Sequence, residues 1–178
     1  MAAEGARDET ADIQELWSSG VPATPTSFIK LHRDALFAYF ARRVDSVEDA
    51  ADLTGDVFVI IWRRADDIPF DQTRARMWLF GVARNVLSNH VRAQARRRRL
   101  RERAAEQIRH DVPLDESVSE GVRDALGALA PLDREIVQLH HWDGFNLAEI
   151  AGILGRRPAT IRSRYARARA RLRQILSA

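Results

Sequence analysis

The chain has 178 residues, enough for one domain or two small ones, and its 46% hydrophobic content with 9 Gly and 6 Pro excludes a wholly disordered protein. The absence of cysteine excludes a disulfide framework, a cysteine-based zinc site and a thiol nucleophile. The formal net charge is +3 and almost every base is arginine, which suits phosphate and guanine; because GC-rich genomes also enrich arginine, only the positions of these residues can decide.

Residues 1–24 mix acidic residues with Gly, Pro and Ser, which predicts a flexible tail. The tail begins MAAEGARDET and lacks the profile of a signal peptide. No apolar run in the chain reaches the roughly 18 residues that a membrane span needs. The sequence therefore predicts a soluble protein in the cytoplasm.

Two amphipathic helices are expected next. Apolar residues recur at helical spacing from Thr26 to about Val44, and Ser46 with Asp49 forms a capping pair for a second helix that runs to about Arg64. The acidic residues of the second helix predict a solvated or partner-facing surface. These acids are Glu48, Asp49, Asp52 and Asp56.

A long basic helix follows a loop at residues 66–73. It is predicted from Arg74 to about Ile108, and between Arg74 and Arg103 ten arginines stand against the single acid Glu102. Polar side chains near one face suit DNA, although a run such as Arg96 to Arg99 is as often merely solvated. The polar candidates are Asn85, Ser88, Asn89 and Arg92, while Trp78 and Phe80 are expected in the core.

A polar segment with a proline, residues 105–117, interrupts the periodicity and predicts a linker between two helical domains. The second domain is expected to open with a helix over residues 118–129. Pro131 fits the first turn of the next helix, which extends to Trp142, because its missing N–H is one that a helix start does not use. The predicted domains are thus residues 25–104 and 118–178.

The end of the chain fits a helix-turn-helix. Asn146 and Glu149 cap a short helix that Gly155 ends, and a last helix starts at Pro158. The second helix of such a motif enters the major groove. Its predicted buried seam consists of Ile150, Ile153, Leu154, Ile161, Tyr165, Ala168 and Leu172.

The opposite face of the last helix is basic, and the chain has no acid from Arg156 onward. Base readout is predicted for Arg162, Ser163 and Arg167, near the start of the helix. Phosphate contact is predicted for other members of the set, among them Arg156, Arg157 and Arg169. The full candidate set is Arg156, Arg157, Thr160, Arg162, Ser163, Arg167, Arg169 and Arg171. A solvated basic face on an ordinary helical hairpin is the alternative interpretation.

Catalytic and metal chemistry find little support in the sequence. His140 and His141 are adjacent, so on a helix they point about 100° apart and do not easily share a metal. The chain has no Gly-rich phosphate loop, Ser-His-Asp order or evident carboxylate pair. We therefore expect neither an enzyme nor a bound metal or cofactor.

The sequence resembles the extracytoplasmic-function (ECF) class of the bacterial sigma-70 family from about Phe28 to Leu176. Region 2.2 of the family resembles DAADLTGDVFVIIWRRADDI, and regions 2.3 and 2.4 resemble RARMWLFGVARNVLSNHVRAQARRRR. Region 4 resembles ALGALAPLDREIVQLHHWDGFNLAEIAGILGRRPATIRSRYARARARL. The joint occurrence in this order is far more specific than either half.

The resemblance implies an all-α protein in which two small helical domains are joined by a flexible linker. It also implies a promoter-specificity subunit that binds core RNA polymerase and directs it to promoter DNA. Residues 25–104 would be region 2, residues 118–178 region 4, and the linker would lie in the RNA exit path of the polymerase. Family members are commonly restrained by an anti-sigma protein, so the resemblance allows such a partner.

Site residues also follow from the resemblance. The basic face of the last helix would read the minus-35 element as duplex, and the first domain would read and help melt the minus-10 element. The implied minus-10 residues are Phe70, Thr73, Asn85, Ser88, Asn89, Arg92 and Arg96. Core polymerase contact is implied for Asp52, Asp56, Phe58 and Trp62, while Gly55 stands where the family commonly has glutamine.

Two other functions remain open at this point. A stand-alone helix-turn-helix regulator would bind duplex DNA without polymerase. A helical RNA-binding or adaptor protein could carry the same arginines and would prefer structured RNA.

Overall fold

The computed structural model describes residues 24–103 and 120–177, without the side chains of Arg98, residues 100–103 and Glu120. The chain divides into two compact units, Met1–Leu114 and Asp115–Ala178. All regular structure in the described ranges is helical, which confirms the predicted all-α class. The predicted tail before Thr24 and the predicted linker at 105–117 lie outside the described residues.

The first unit contains α1 (Pro25–Ala41), α2 (Val47–Arg63), a 3-10 turn (Ala65–Asp67) and α3 (Gln72–Arg103). Helix α2 starts where predicted, because the Ser46 hydroxyl accepts the backbone N–H of Asp49 at 2.9 Å. Helix α3 starts earlier than predicted. The carboxylate of Asp71 accepts the backbone N–H of Arg74 at 2.8 Å and caps the helix, so Thr73 lies in its first turn and not in a loop.

Aromatic side chains of α1 and α3 form the centre of the first unit. The ring of Tyr39 meets the rings of Phe40 and Phe80 edge-on, with centroids 5.2 and 5.4 Å apart. Phe80 is buried as expected, but Trp78 is only half-buried, so its assignment to the core was wrong. Trp78 lies seven residues before Asn85, on the outward stripe of α3, with the Arg64 guanidinium 5.8 Å from its ring.

His32 is a buried polar residue that the sequence analysis did not anticipate. His32 is 7% exposed, and its ring packs edge-on against Phe28 with centroids 4.7 Å apart. Its Nε2 atom has no hydrogen-bond partner among the described residues. Burial, and secondarily the charge of Arg76, lower the pKa of His32 to about 4, so the imidazole is neutral at pH 7.

The second unit contains α4 (Glu120–Gly127), α5 (Pro131–His141), α6 (Leu147–Ile153) and α7 (Pro158–Leu176). The predicted cap of α6 is present. The Asn146 side chain accepts the backbone N–H groups of Ala148 and Glu149 at 2.9 and 3.0 Å, and the Glu149 carboxylate accepts the N–H of Asn146 at 2.8 Å. Both halves of this capping box satisfy helix-start donors that would otherwise lack partners.

The predicted seam packs α7 against α6 and its neighbours. Ile150, Leu154, Ile161 and Ala168 are buried. The other three seam residues, Ile153, Tyr165 and Leu172, are half-buried at its margin. A side-chain pair adds to the seam: the guanidinium of Arg164 donates to the carboxylate of Asp133 at 2.6 Å and ties α7 to α5.

Gly155 makes the tight turn between α6 and α7 with a φ of +59°. We expect Gly155→Ala to lower the free energy of unfolding by about 1–2 kcal/mol, because a left-handed backbone brings Cβ close to the carbonyl oxygen. Chemical denaturation of the purified protein measures this change. Apart from Gly155 and its two neighbours in the chain, no atom lies within 4 Å of the added Cβ, so the cost arises from the local backbone and not from a clash with another part of the fold.

Gly127→Ala is the matched control for this turn, since Gly127 has the same free space but no positive φ. Its replacement at the end of α4 is expected to leave stability unchanged or to raise it by up to about 1 kcal/mol. Equal losses at the two positions would show that the left-handed turn is not the cause.

Candidate nucleic-acid interface

The candidate set on α7 and the preceding turn is exposed as a whole. All eight residues of the set reach solvent, and the buried side of the helix is formed by Ile161 and Ala168. The basic side chains therefore do not pack inward. Arg173, which the sequence reasoning did not select, is exposed as well and extends the same surface toward the end of α7.

Arg164 is the exception among the arginines of α7. It is half-buried and donates to Asp133, so its charge is used inside the unit. The remaining arginines of the helix are Arg162, Arg167, Arg169, Arg171 and Arg173. No acid follows Arg156 in the chain, so α7 itself contributes no carboxylate side chain that would oppose the field of these arginines.

The turn before α7 adds two cations beside the start of the helix. Arg156 and Arg157 are exposed, and the backbone N–H of Arg156 donates to the carbonyl of Ala151 at 2.9 Å. This bond, together with the left-handed Gly155, closes α6 and fixes where the two side chains leave the backbone.

The histidine pair of α5 connects to α7. Nε2 of His141 lies 3.0 Å from the hydroxyl of Tyr165, and Nδ1 of His140 lies 2.8 Å from the carbonyl of Phe145. Burial, then His140 and Arg169, lower the pKa of His141 below its usual value. The described residues contain no group of three potential ligands that could hold a metal ion, and the two histidines instead join α5 to its surroundings.

The polar stripe of α3 is also exposed on one face. Its members repeat at intervals of three and four residues, the spacing of neighbours on a helix surface. They are Asn85, Ser88, Asn89, Arg92 and Arg96. Within the stripe the Arg92 guanidinium donates to the Asn89 side chain at 2.7 Å, so the two polar groups are oriented together.

Phe70 lies just before this helix with 81% of its surface exposed. A large aromatic side chain at such exposure has little packing role within its own unit. Thr73, also exposed, follows it on the first turn of α3. The structure thus places an exposed ring at the N-terminal end of the helix that carries the amide and arginine stripe.

The acidic helix α2 presents a second kind of surface. Asp52 and Asp56 are exposed, Trp62 is 60% exposed, and Phe58 is half-buried at the edge. Sequence reasoning missed Val59, which is 48% exposed and lies three residues from both Asp56 and Trp62. Gly55 lies on the same face, and a Cβ there would meet no atom within 4 Å. An apolar strip bordered by carboxylates is typical of a protein-binding surface.

The sequence predicted no membrane-spanning segment. None of the described helices combines the length and apolar character that crossing a membrane requires.

Comparison with known proteins gives a match for each unit. The family model described as Sigma-70 region 2 matches residues 28–97, and the model described as Sigma-70, region 4 matches residues 119–172. The two models occur in the order that the sequence resemblance implied.

Individual relatives agree with these matches. An RNA polymerase sigma-E factor of Streptomyces avermitilis is 33% identical over 154 residues, which cover 84% of this chain and 83% of the relative. The ECF RNA polymerase sigma factor SigL of Mycobacterium tuberculosis is 27% identical over 141 residues, covering 75% and 77%. The sigma factor RpoE of Bartonella quintana, solved with the anti-sigma factor NepR, is 26% identical with a TM-score of 0.68, covering 84% of this chain and 94% of that one.

Proposed function

The chain belongs to the ECF class of the sigma-70 family and is an RNA polymerase sigma factor, and we propose that its exposed surfaces bind different parts of the promoter and core polymerase. The second unit, with the basic face of α7, reads the minus-35 element as duplex DNA. The first unit reads the minus-10 element and helps to open it. The acidic face of α2 binds core polymerase.

The exposure of the arginines on α7 is the observation that supports this proposal most strongly. A helix-turn-helix places the N-terminal part of its second helix against base edges, where Arg162, Ser163 and Arg167 lie. Arginine binds guanine bidentately, while Ser donates to or accepts from several bases. Arg156, Arg157 and Arg169, on the turn and farther along the helix, contact phosphate.

The first unit suits single-stranded DNA. Amides and arginines on one face of α3 can follow a strand, and an exposed aromatic ring can stack on a base that has left the duplex. Phe70 and Thr73 therefore receive the flipped base, and the stripe from Asn85 to Arg96 contacts the strand. Unstacking a base costs a few kcal/mol, which such contacts must offset.

The protein itself supplies binding and positioning, and core polymerase catalyses RNA synthesis. Its place of action is then the cytoplasm, where polymerase and promoter DNA meet. The Bartonella relative was solved with an anti-sigma factor. By analogy, we propose that a protein inhibitor also restrains this chain by covering its DNA-binding or polymerase-binding surfaces.

Run-off transcription tests the proposal. Purified full-length protein with core polymerase is expected to give transcripts that start at defined sites on genomic DNA fragments, whereas core alone gives none. A control variant with Asp52, Asp56 and Trp62 replaced by alanine should lose transcription and core binding while retaining its helical circular dichroism, since all three residues are exposed.

Other outcomes would favour the alternatives. Specific footprints on duplex DNA without core polymerase, together with no core-dependent transcript, would support a stand-alone regulator. Preference for structured RNA over duplex DNA would support an RNA-binding protein.

A further inference from the structure

The exposed arginines of α7 fall into two rows along the helix. Successive residues of an α-helix are about 100° apart, so residues separated by four, seven or eleven positions lie close to one line. Arg162, Arg169 and Arg173 form the first arginine row, and Arg167 and Arg171 form the second arginine row. The two rows are about 160° apart around the helix axis, on nearly opposite flanks.

Over residues 159–170 the surface between the rows carries only small side chains, and the larger Gln174 follows them near the end of α7. The small exposed residues point away from the buried side of α7 and are Ala159, Ser163, Ala166 and Ala170. The opposite side of the helix is occupied by Ile161 and Ala168, which pack into the unit. The arginine side chains therefore extend from the two flanks of the helix. The side that faces away from the unit carries short side chains and stands less far from the helix axis than the flanks.

Arg164 lies beside the second arginine row but is not part of the exposed surface. Its guanidinium donates to Asp133 at 2.6 Å. This bond holds α7 to α5 and leaves the second arginine row with Arg167 and Arg171 as its exposed members. Together with the buried Ile161 and Ala168, the same bond fixes which side of α7 faces the unit.

The dimensions of duplex DNA give the two flanks different neighbours. The major groove is about 12 Å wide, close to the diameter of a helix with its side chains, and its walls are the backbones of the two strands. A helix that enters with the side of short side chains toward the bases presents one flank to each wall. Resting on the proposed readout of duplex DNA, we propose that the first arginine row contacts one strand and the second arginine row contacts the other.

This assignment gives different contacts to Arg162, Ser163 and Arg167, which were predicted together to read bases. Arg162 and Arg167 are both exposed in the first ten residues of α7 but belong to different rows, so the bases that they are proposed to read lie on opposite strands. Ser163 lies between them and faces the groove floor. Arg169 and Arg171, only two residues apart, bind phosphates on different strands.

Strand-specific neutralisation of phosphates tests the proposal. The probe is a promoter duplex obtained by selection with wild-type holoenzyme, prepared with uncharged methylphosphonates across the minus-35 region of either strand. Wild-type binding should fall several-fold with each modified strand. Arg169→Ala should remove most of the penalty for one strand only, and Arg171→Ala most of the penalty for the other strand only.

Arg123→Ala is the matched control, an exposed arginine of the same unit on α4, and it should keep both penalties. Circular dichroism of each variant shows whether α7 remains folded. Loss of the penalty on the same strand in both variants, or on both strands in either one, would overturn the two-strand assignment. If wild-type holoenzyme selects no duplex at all, or shows no penalty with either strand, the proposed minus-35 readout itself fails.

Discussion

Arg167→Ala is expected to weaken promoter binding by about 5- to 150-fold, because one bidentate arginine–guanine contact is worth roughly 1–3 kcal/mol. The side chain is exposed on α7, so its removal should not unfold the unit. The variant should lose its preference for a particular base at one position of the minus-35 element and keep its preferences at the other positions. Equilibrium binding of holoenzyme to a series of promoters, each changed at one base pair, would locate that position.

Arg157→Ala provides the contrasting variant. This exposed residue of the turn is expected to contact phosphate, so its loss should weaken all sequences alike. The dependence of log affinity on log salt concentration should flatten by about one. The assignment of roles is wrong if Arg167→Ala weakens every sequence equally, or if Arg157→Ala acts at a single base pair.

Acid should destabilise the first unit through His32. Its pKa is about 4 in the folded protein, against 6.5 for an unperturbed histidine, because burial and then Arg76 oppose its charge. The unfolded chain therefore binds the proton more strongly between these two values. The contribution to stability is complete above about pH 6.5 and is lost as the pH falls to about 4, an effect of about 3 kcal/mol.

His32→Leu should flatten this dependence, since the variant has no imidazole to protonate. Denaturation at several pH values between 7 and 4 measures the difference in slope between variant and wild type. Direct titration of the His32 ring by nuclear magnetic resonance supplies a second measurement. Parallel curves for the two proteins, or a ring pKa near 6.5 in the folded state, would contradict the expectation.

Local signals account for most of what the sequence predicted correctly. Ser46 and Asn146 cap their helices because a short polar side chain satisfies free N–H groups at a helix start, whatever packs around it. Gly155 ends α6 for an equally local reason, the left-handed backbone. The buried seam of α7 follows from the 3.6-residue period, which also predicted that its arginines would be exposed.

The features that sequence reasoning missed depend on contacts between distant segments. Arg164 looks like its neighbours in sequence, and only the position of Asp133, 31 residues earlier, withdraws it from the surface. His32 counts as polar in any hydrophobic pattern, yet it is only 7% exposed, and Arg76, 44 residues later in the chain, is close enough to lower its pKa. Trp78 was assigned to the core by residue type, although it is only half-buried on α3, with the Arg64 guanidinium of the preceding segment 5.8 Å from its ring. The DNA-binding and polymerase-binding roles of individual residues remain predictions.

The two arginine rows also have a consequence for α7 before it meets DNA. Arg167 with Arg171, and Arg169 with Arg173, are like charges four residues apart, and each such pair opposes helix formation by roughly 0.2–0.5 kcal/mol. Mobile ions screen such repulsion over a Debye length of about 8 Å at physiological ionic strength. Added salt should therefore stabilise the isolated helix α7 while it lowers the affinity for DNA. Helix formation and DNA binding thus respond to ionic strength in opposite directions.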